Sequence, residues 1–347
     1  MAKKLTPSSY PYKPSWQNRF FQAIDKLPVP KPIVAFLLFV AIAFLNHLVP
    51  WIEEKLPWGE VDVDQFTFHI WFLVVFLAFD YFLTYSRKAM SIFRPAINVS
   101  DKEYSQLTYR FINLPNRGGW IITFVSVPVA AFGFSSSFPL YMQSGLSRSM
   151  NLITAVFMFS LVFAFIINFF RQFGLIGWLY AKVKRINIFH LNALYAFAGL
   201  TSRTGVFLIL TGVLSYLTDV AFAENPQIGS FIFFSALNLA VAIGAFILPL
   251  GGIHTRLVEE KERVSKENDQ RLEGAYKRLH QRIDKNQLKD MVDSRNSISA
   301  LLELRHEIER ISTWPWEPGT LRNFITALSV PLIAWAIQQI LLRTVVK

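Results

Sequence analysis

Cysteine is absent from the 347 residues of the chain, and charged residues make up only 17% of them. Without cysteine, disulfide bonds, thiolate metal sites and cysteine nucleophiles are excluded. The sequence also lacks a glycine-rich phosphate loop, a GxSxG nucleophile elbow, an HExxH metal motif and paired carboxylates within one apolar segment. These absences predict that the protein is not an enzyme, and we expect no cofactor and no bound metal ion.

Apolar residues, in contrast, are abundant and clustered: they form 52% of the chain, which contains 33 phenylalanines. A helix of ~20 residues crosses the ~30 Å hydrocarbon layer of a membrane. We therefore predict an all-α integral membrane protein with about seven transmembrane helices. The run at 119–142 contains Pro128 and is also compatible with a kinked or re-entrant helix. The predicted spans are 32–50, 66–86, 119–142, 150–170, 204–223, 228–252 and 321–342.

The basic residues are distributed unevenly over the segments between these spans. Before residue 257, one side of the membrane receives seventeen lysines and arginines, whereas the other side receives four over the whole chain. Because lysine and arginine concentrate on the cytoplasmic side, we predict a cytoplasmic N-terminus and an external C-terminus in a plasma membrane of the bacterial inner-membrane type. Anionic lipid at the inner face is the expected partner of these charges. The basic segments are 1–31, 87–117 and 171–203.

Residues 257–312 are amphipathic and predict a cytoplasmic antiparallel helical hairpin between the last two spans, which we call the stalk. Its twelve basic and twelve acidic residues cancel, so it lacks the basic patch that nucleic-acid binding requires. Two interpretations stay open: a solvated extension that only bridges two spans, or a stalk that forms oligomers or docks a cytoplasmic partner. The predicted coiled-coil seam consists of Leu272, Tyr276, Leu279 and Ile283 on the first arm and Leu288, Ile298 and Leu301 on the second.

These patterns divide the chain into four parts. A polar cytoplasmic segment at 1–31 precedes a six-span membrane domain at 32–256, and the stalk at 257–312 follows. The last part, 313–347, contains a Trp-Pro-Trp segment and the seventh span. Trp314 and Trp316 are expected to anchor it in the lipid headgroup zone.

Polar side chains inside apolar spans are costly, so each predicts either a polar path or a contact that holds helices together. Asp80 is the most notable, with Arg171 or Arg203 as its expected ion-pair partner. Its two interpretations are a cation or proton site and a helix–helix anchor. His47 and His69 are single histidines without ligand spacing, so they predict no zinc site. The candidates for the polar path are Asp80, Asn46, Asn168 and Asn238.

Three segments resemble uncharacterised bacterial polytopic membrane proteins, a resemblance that implies a membrane fold and no particular activity. They read TWPWEPGTLRNFITALSVPLIAWAIQQILL, INIFHLNALYAFAGLTSRTG and PLGGIHTRLVEEKERV. From the residues themselves, we expect a channel or transport-type protein that forms homo-oligomers and uses the stalk for assembly or gating. The alternative is a non-conducting anchoring, assembly or sensory protein whose stalk docks a cytoplasmic partner.

Overall fold

A computed structural model describes residues 10–137, 145–183, 185–222, 228–285 and 291–345. Over these ranges the regular structure is helical and includes no β-strand, so the all-α class is confirmed. The helices are α1 (Trp16–Ile24), α2 (Lys31–Ile52), α3 (Val63–Phe93), α4 (Asp101–Ile112), α5 (Asn116–Ser137), α6 (Gly145–Ala181), α7 (Ala196–Phe222), α8 (Ile228–Ile247), α9 (Gly251–Asp284), α10 (Met291–Arg310) and α11 (Pro318–Val345).

Local sequence explains where several helices begin. The Asp62 side chain accepts a hydrogen bond from the main-chain nitrogen of Gln65 at 2.9 Å, which caps α3. Ser100 caps α4 in the same way through Glu103. Such caps satisfy amide groups that have no partner within the helix itself. The first turn of α2 contains proline, which lacks an amide proton. At this position no helical hydrogen bond is lost, because amide groups in the first turn have no partner within the helix.

Within the described ranges, six helical segments are long and apolar enough to cross a membrane, judged by length and composition. This finding supports an integral membrane protein. The predicted span at 119–142 overlaps α5, and its last residues lie outside the described part of the chain. The six segments are Lys31–Ile52, Gln65–Ala96, Gly145–Ala181, Ala196–Leu217, Ser235–Asp284 and Gly319–Ile337.

The long helices alternate in direction. Gln65, near the start of α3, contacts Asn46 near the end of α2, whereas Asp80 contacts Lys31 at the start of α2. These contacts make α2 and α3 antiparallel. We call the end of the bundle where α2 begins the N-terminal face, and the other end the opposite face. α6 ends at the N-terminal face, and α11 begins there.

The short helix α1 packs among α3, α5 and α6 near the N-terminal face. Phe21 stacks on Phe79 of α3, with ring centroids 4.7 Å apart. The Nε2 atom of Gln17 donates hydrogen bonds to Oγ of Ser160 at 2.9 Å and to the main-chain oxygen of Gly119 at 3.2 Å. An α1 helix that buries both aromatic and amide side chains therefore closes this end of the bundle.

Candidate functional site

A network of amide and hydroxyl side chains joins α2, α3 and α6 in the half of the bundle next to the opposite face. The Nε2 atom of Gln65 donates hydrogen bonds to the main-chain oxygen of Asn46 at 3.2 Å and to Oδ1 of Asn151 at 2.7 Å. The Nδ2 atom of Asn46 donates to Oγ1 of Thr154 at 3.1 Å. All four side chains are buried. We call these four residues the amide network.

Two histidines, the histidine pair, lie beside this network. His47 follows Asn46 on α2, and His69 lies one turn beyond Gln65 on α3; their ring centroids are 6.4 Å apart. They are only 4% and 1% exposed. The Nδ1 atom of His47 is 2.8 Å from the main-chain oxygen of Ala43. Because a carbonyl oxygen only accepts, this contact places the proton of neutral His47 on Nδ1 and leaves Nε2 as an acceptor.

Several buried polar atoms at this site have no hydrogen-bond partner within the described residues. Leaving such an atom dry costs on the order of 1–3 kcal/mol, so native proteins usually satisfy it with water, an ion or a ligand. Both donors and acceptors occur among them, which suits a proton, a water molecule or a small polar solute. The atoms are Nε2 of His47, Nδ1 and Nε2 of His69, Oε1 of Gln65 and Nδ2 of Asn151.

A carboxylate connects the opposite-face end of α2 to the start of α6. Glu53 accepts hydrogen bonds from the main-chain nitrogens of Leu146 at 2.7 Å and Ser147 at 3.0 Å, and from the Ser147 hydroxyl. Lys55 pairs with it at 2.8 Å. The Lys55 ammonium, followed by the Ser147 hydroxyl, lowers the pKa of Glu53 to about 2. A negative charge at a helix N-terminus also interacts favourably with the helix dipole.

Aromatic packing separates this site from the N-terminal face. Phe72 of α3 and Phe157 of α6 have ring centroids 5.9 Å apart. Phe20 and Phe21 of α1 contribute from the other side, at 5.7 Å from Phe157 and 4.9 Å from Phe76 respectively. The polar site therefore ends at an aromatic layer in the middle of the bundle.

The predicted partner of Asp80 was wrong. Its carboxylate pairs with Lys31 at 2.6 Å, and Lys31 also pairs with Asp25 at 2.5 Å. Arg171 is instead committed to α4: it donates to the main-chain oxygens of Arg110 and Phe111, where the end of that helix leaves carbonyl groups unpaired. Asp80 therefore belongs to a cluster of opposite charges at the N-terminal face.

Arg203, the other expected partner of Asp80, is engaged on α3. Its NH1 atom donates to Oη of Tyr85 at 2.7 Å, and its guanidinium carbon lies 4.2 Å from the centre of the Tyr85 ring. The remaining path candidates are dispersed. Asn168 accepts a hydrogen bond from Arg171, whereas Asn238 lies with Gly212 in a small cavity among α7, α8 and α11.

The four predicted path residues thus occupy four different places, and the structure does not bring them together. Asn46 alone belongs to the buried site. The sequence interpretation missed the histidine pair, Gln65 and Asn151. A signal was available: His47 and His69 lie equally far along the chain from Trp58 in the loop between α2 and α3. Two antiparallel helices joined by that loop must bring them to the same height.

The predicted stalk seam differs from the observed contacts at two positions of the first arm, Tyr276 and Ile283. Leu272 and Ile298 are buried, with Leu279 and Leu301 packed against them. Ala275, rather than its neighbour Tyr276, completes the cluster. The small Ala275 side chain lets the helices approach closely, whereas Tyr276 and Ile283 are exposed. Leu288 lies outside the described residues.

The two tryptophans expected to anchor the chain in the headgroup zone lie in an aromatic column between α9 and α11. Trp314 stacks on His254 and on Trp316, at centroid distances of 3.9 Å and 4.5 Å. Trp316 in turn contacts Phe246 of α8 at 5.0 Å. This column joins the base of α9 to the membrane-length helices.

Comparison of the chain with protein-family models, with curated proteins and with solved structures gives no match.

Proposed function

We propose that this is a transport-type membrane protein that moves protons, with the histidine pair as its proton-binding site. One observation carries the proposal: two buried imidazoles from neighbouring helices present three nitrogen atoms that have no hydrogen-bond partner among the described residues. An unprotonated imidazole nitrogen can accept a proton and release it again, which is why histidine is a common proton carrier in proteins. Titratable groups inside membrane helices are costly and typically serve ion or proton pathways.

The geometry suggests how the site binds a proton. His47 offers Nε2 as an acceptor because its Nδ1 proton is directed to Ala43. The ring centroids of His47 and His69 are 6.4 Å apart, a separation that one bridging water molecule would span. The Gln65 side-chain oxygen, which has no hydrogen-bond partner among the described residues, can accept a hydrogen bond from that water or from a protonated imidazole. The aromatic layer would then act as the gate that opens towards the N-terminal face.

We further infer the membrane arrangement around this site. With α5 as a seventh span, the long helices alternate across the membrane and the basic N-terminal face is cytoplasmic. The contacts between α9 and α10 then form the predicted cytoplasmic hairpin, as an assembly or gating unit of a homo-oligomer. Asn268 of α9, which donates to the Leu301 main-chain oxygen of α10 at 3.1 Å, supports the pairing.

Proton flux into liposomes tests the proposal. The purified full-length chain is reconstituted with an internal pH-sensitive dye, and an imposed proton gradient is applied with potassium and valinomycin to balance charge. We expect flux above empty liposomes for the wild type and loss of flux for His47→Gln and His69→Gln. His280→Gln, an exposed histidine on α9, is the matched control and should conduct as the wild type does. Wild-type flux equal to empty liposomes would reject the proposal.

A second function is favoured by a different observation. Phenylalanines fill the centre of the bundle, and α9 and α10 expose the apolar side chains of Tyr276, Ile283, Val292 and Leu302. A dry bundle with an apolar stalk suits a non-conducting assembly protein, with a second copy of the chain on the stalk. Mass measurement in nanodiscs tests it. Val292→Ser with Leu302→Ser should convert an oligomer to a monomer, whereas an unchanged mass would exclude the stalk as the interface.

A further inference from the structure

A cleft of about 790 Å³ opens between α3, α7 and the start of α11, at the N-terminal face. Its lining changes character along the helices. Towards the middle of the bundle the walls are apolar, with Val74, Leu77 and Leu210 among the lining residues. Towards the N-terminal face the lining residues include Arg203 and Glu317. The polarity of the cleft thus follows the polarity of one membrane leaflet, from acyl chains to headgroups.

The two charges at the polar end do not neutralise each other directly. Within the described chain, neither Arg203 nor Glu317 has an oppositely charged side chain within 4.0 Å. Arg203 is held in place by Tyr85, and its NH1 atom also donates to the main-chain oxygen of Gly199 at 3.0 Å. A fixed guanidinium and a separate carboxylate on one rim can bind the two charges of a single zwitterion.

We infer that this cleft binds one phospholipid whose headgroup carries both a phosphate and a primary ammonium, with Arg203 on the phosphate, Glu317 on the ammonium and an acyl chain along the apolar walls. Thr320 and Asn323 on the same rim supply further hydrogen-bonding groups. Guanidinium binds phosphate through several donors, and an ammonium donates to a carboxylate. The occupant is a lipid rather than a soluble solute because the walls away from the charged rim are apolar side chains, among them Val74, Leu77 and Leu210.

A lipid bound in this cleft would also affect the stability of the protein. α11 forms one wall, and much of its surface is exposed, including Leu332, Ile333 and Trp335. A lipid bound between α3 and α11 therefore adds contacts on a side of α11 that the other helices leave exposed. We expect lipid binding to raise the melting temperature of the protein.

Native mass spectrometry of the full-length protein tests the inference. The protein is stripped of lipid in detergent and offered equal amounts of phosphatidylethanolamine and phosphatidylglycerol. The wild type should retain one phosphatidylethanolamine, with a preference of about tenfold, which corresponds to one charge-assisted contact. Glu317→Gln should abolish the preference while phosphatidylglycerol still binds. Arg203→Gln should weaken binding of both lipids.

Controls separate the cleft from general effects of charge and folding. Arg322→Gln and Glu303→Gln remove exposed charges that do not line the cleft, so they should leave lipid retention unchanged. Leu210→Trp fills the apolar part and should release the lipid while both charges remain. Circular dichroism confirms that each variant is folded. Wild-type retention in all three cleft variants would overturn the inference, as would binding of free phosphoethanolamine as strong as that of the lipid.

Discussion

At the scale of single residues, Glu53 shows how one side chain joins two distant segments. Its carboxylate accepts from the first turn of α6 and pairs with Lys55, and together these contacts lower its pKa to about 2. An unfolded glutamate has a pKa of ~4.3. The lowered pKa therefore contributes stability above pH ~4.3, and this stability is lost as the pH falls towards about 2.

We expect Glu53→Gln to lower the melting temperature at pH 7, because the amide lacks the charge that interacts with Lys55 and the α6 dipole. The difference between variant and wild type should shrink as the pH falls from ~4.3 to ~3, because the unfolded wild-type chain then takes up a proton at Glu53 that the folded protein does not bind. Melting curves followed by tryptophan fluorescence measure both effects. Glu54→Gln, at the adjacent exposed position, should melt as the wild type does at either pH. A Glu53→Gln difference that does not depend on pH would contradict this account of Glu53.

The residues also show what could be predicted from the sequence and what could not. The pairing of Lys31 with Asp80 depends on the register of α2 against α3. The midpoint of the chain between Lys31 and Asp80 is also the midpoint between Asn46 and Gln65, which are in contact as well. Composition and periodicity do not contain that register. It emerges only when two helices are aligned through their loop, which is why an arginine on another helix was wrongly expected to pair with Asp80.

At the scale of elements, close helix contact explains one glycine. A Cβ atom at Gly205 of α7 would lie 2.5 Å from Cε2 of Phe324 on α11 and 2.8 Å from the main-chain oxygen of Ala242 on α8. Small residues let membrane helices approach in this way. The three helices therefore meet at Gly205 with no space for a side chain.

Gly205→Ala should destabilise the protein by about 1–3 kcal/mol, because a methyl group must displace main-chain atoms of α8. The measurement is the melting temperature of the purified protein in detergent. Gly244→Ala is the matched control: its nearest contact would be 3.5 Å, an ordinary van der Waals distance, so little change is expected. Equal melting temperatures for Gly205→Ala and wild type would show that α7, α8 and α11 are not packed this closely.

The pairing of α9 with α10 makes a prediction that distinguishes the observed register from the one expected from the sequence. Leu272→Asp places a charge in the buried cluster and should cost several kcal/mol, whereas Tyr276→Asp on the exposed face should cost ~0.5 kcal/mol or less. Hydrogen–deuterium exchange of α9 and α10 in the full chain is the measurement. If the two variants lost protection equally, Tyr276 would lie in the buried seam, as the sequence predicted, and the observed register would be contradicted.

The sequence predicted the positions of helices better than it predicted the contacts between them. The spans predicted from long apolar runs overlap helices of the structure, because a run of ~20 apolar residues is typical of a helix that crosses a membrane. The choice of Tyr276 over Ala275 failed because a period of three or four residues fits both positions, and a larger apolar side chain was preferred. Packing distance, which the sequence pattern does not contain, decides between them.

At the scale of the whole molecule, the absence of cysteine allows a clean test of the proposed topology. Val61→Cys lies in the loop before α3, and Gln281→Cys lies near the end of α9; both native side chains are exposed. In intact cells, an impermeant maleimide should label Val61→Cys at once and Gln281→Cys only after the membrane is permeabilised. The reverse pattern would invert the proposed orientation and place α9 and α10 outside the cell.

The central claim is that the buried histidine pair binds the proton that this protein moves. The most direct measurement compares proton flux for wild type and His69→Gln, reconstituted at equal protein density and under the same pH gradient. The account predicts flux above empty liposomes for the wild type, and flux reduced to the level of empty liposomes for His69→Gln, with both proteins equally folded. Equal flux through both proteins, or none through the wild type, would contradict it.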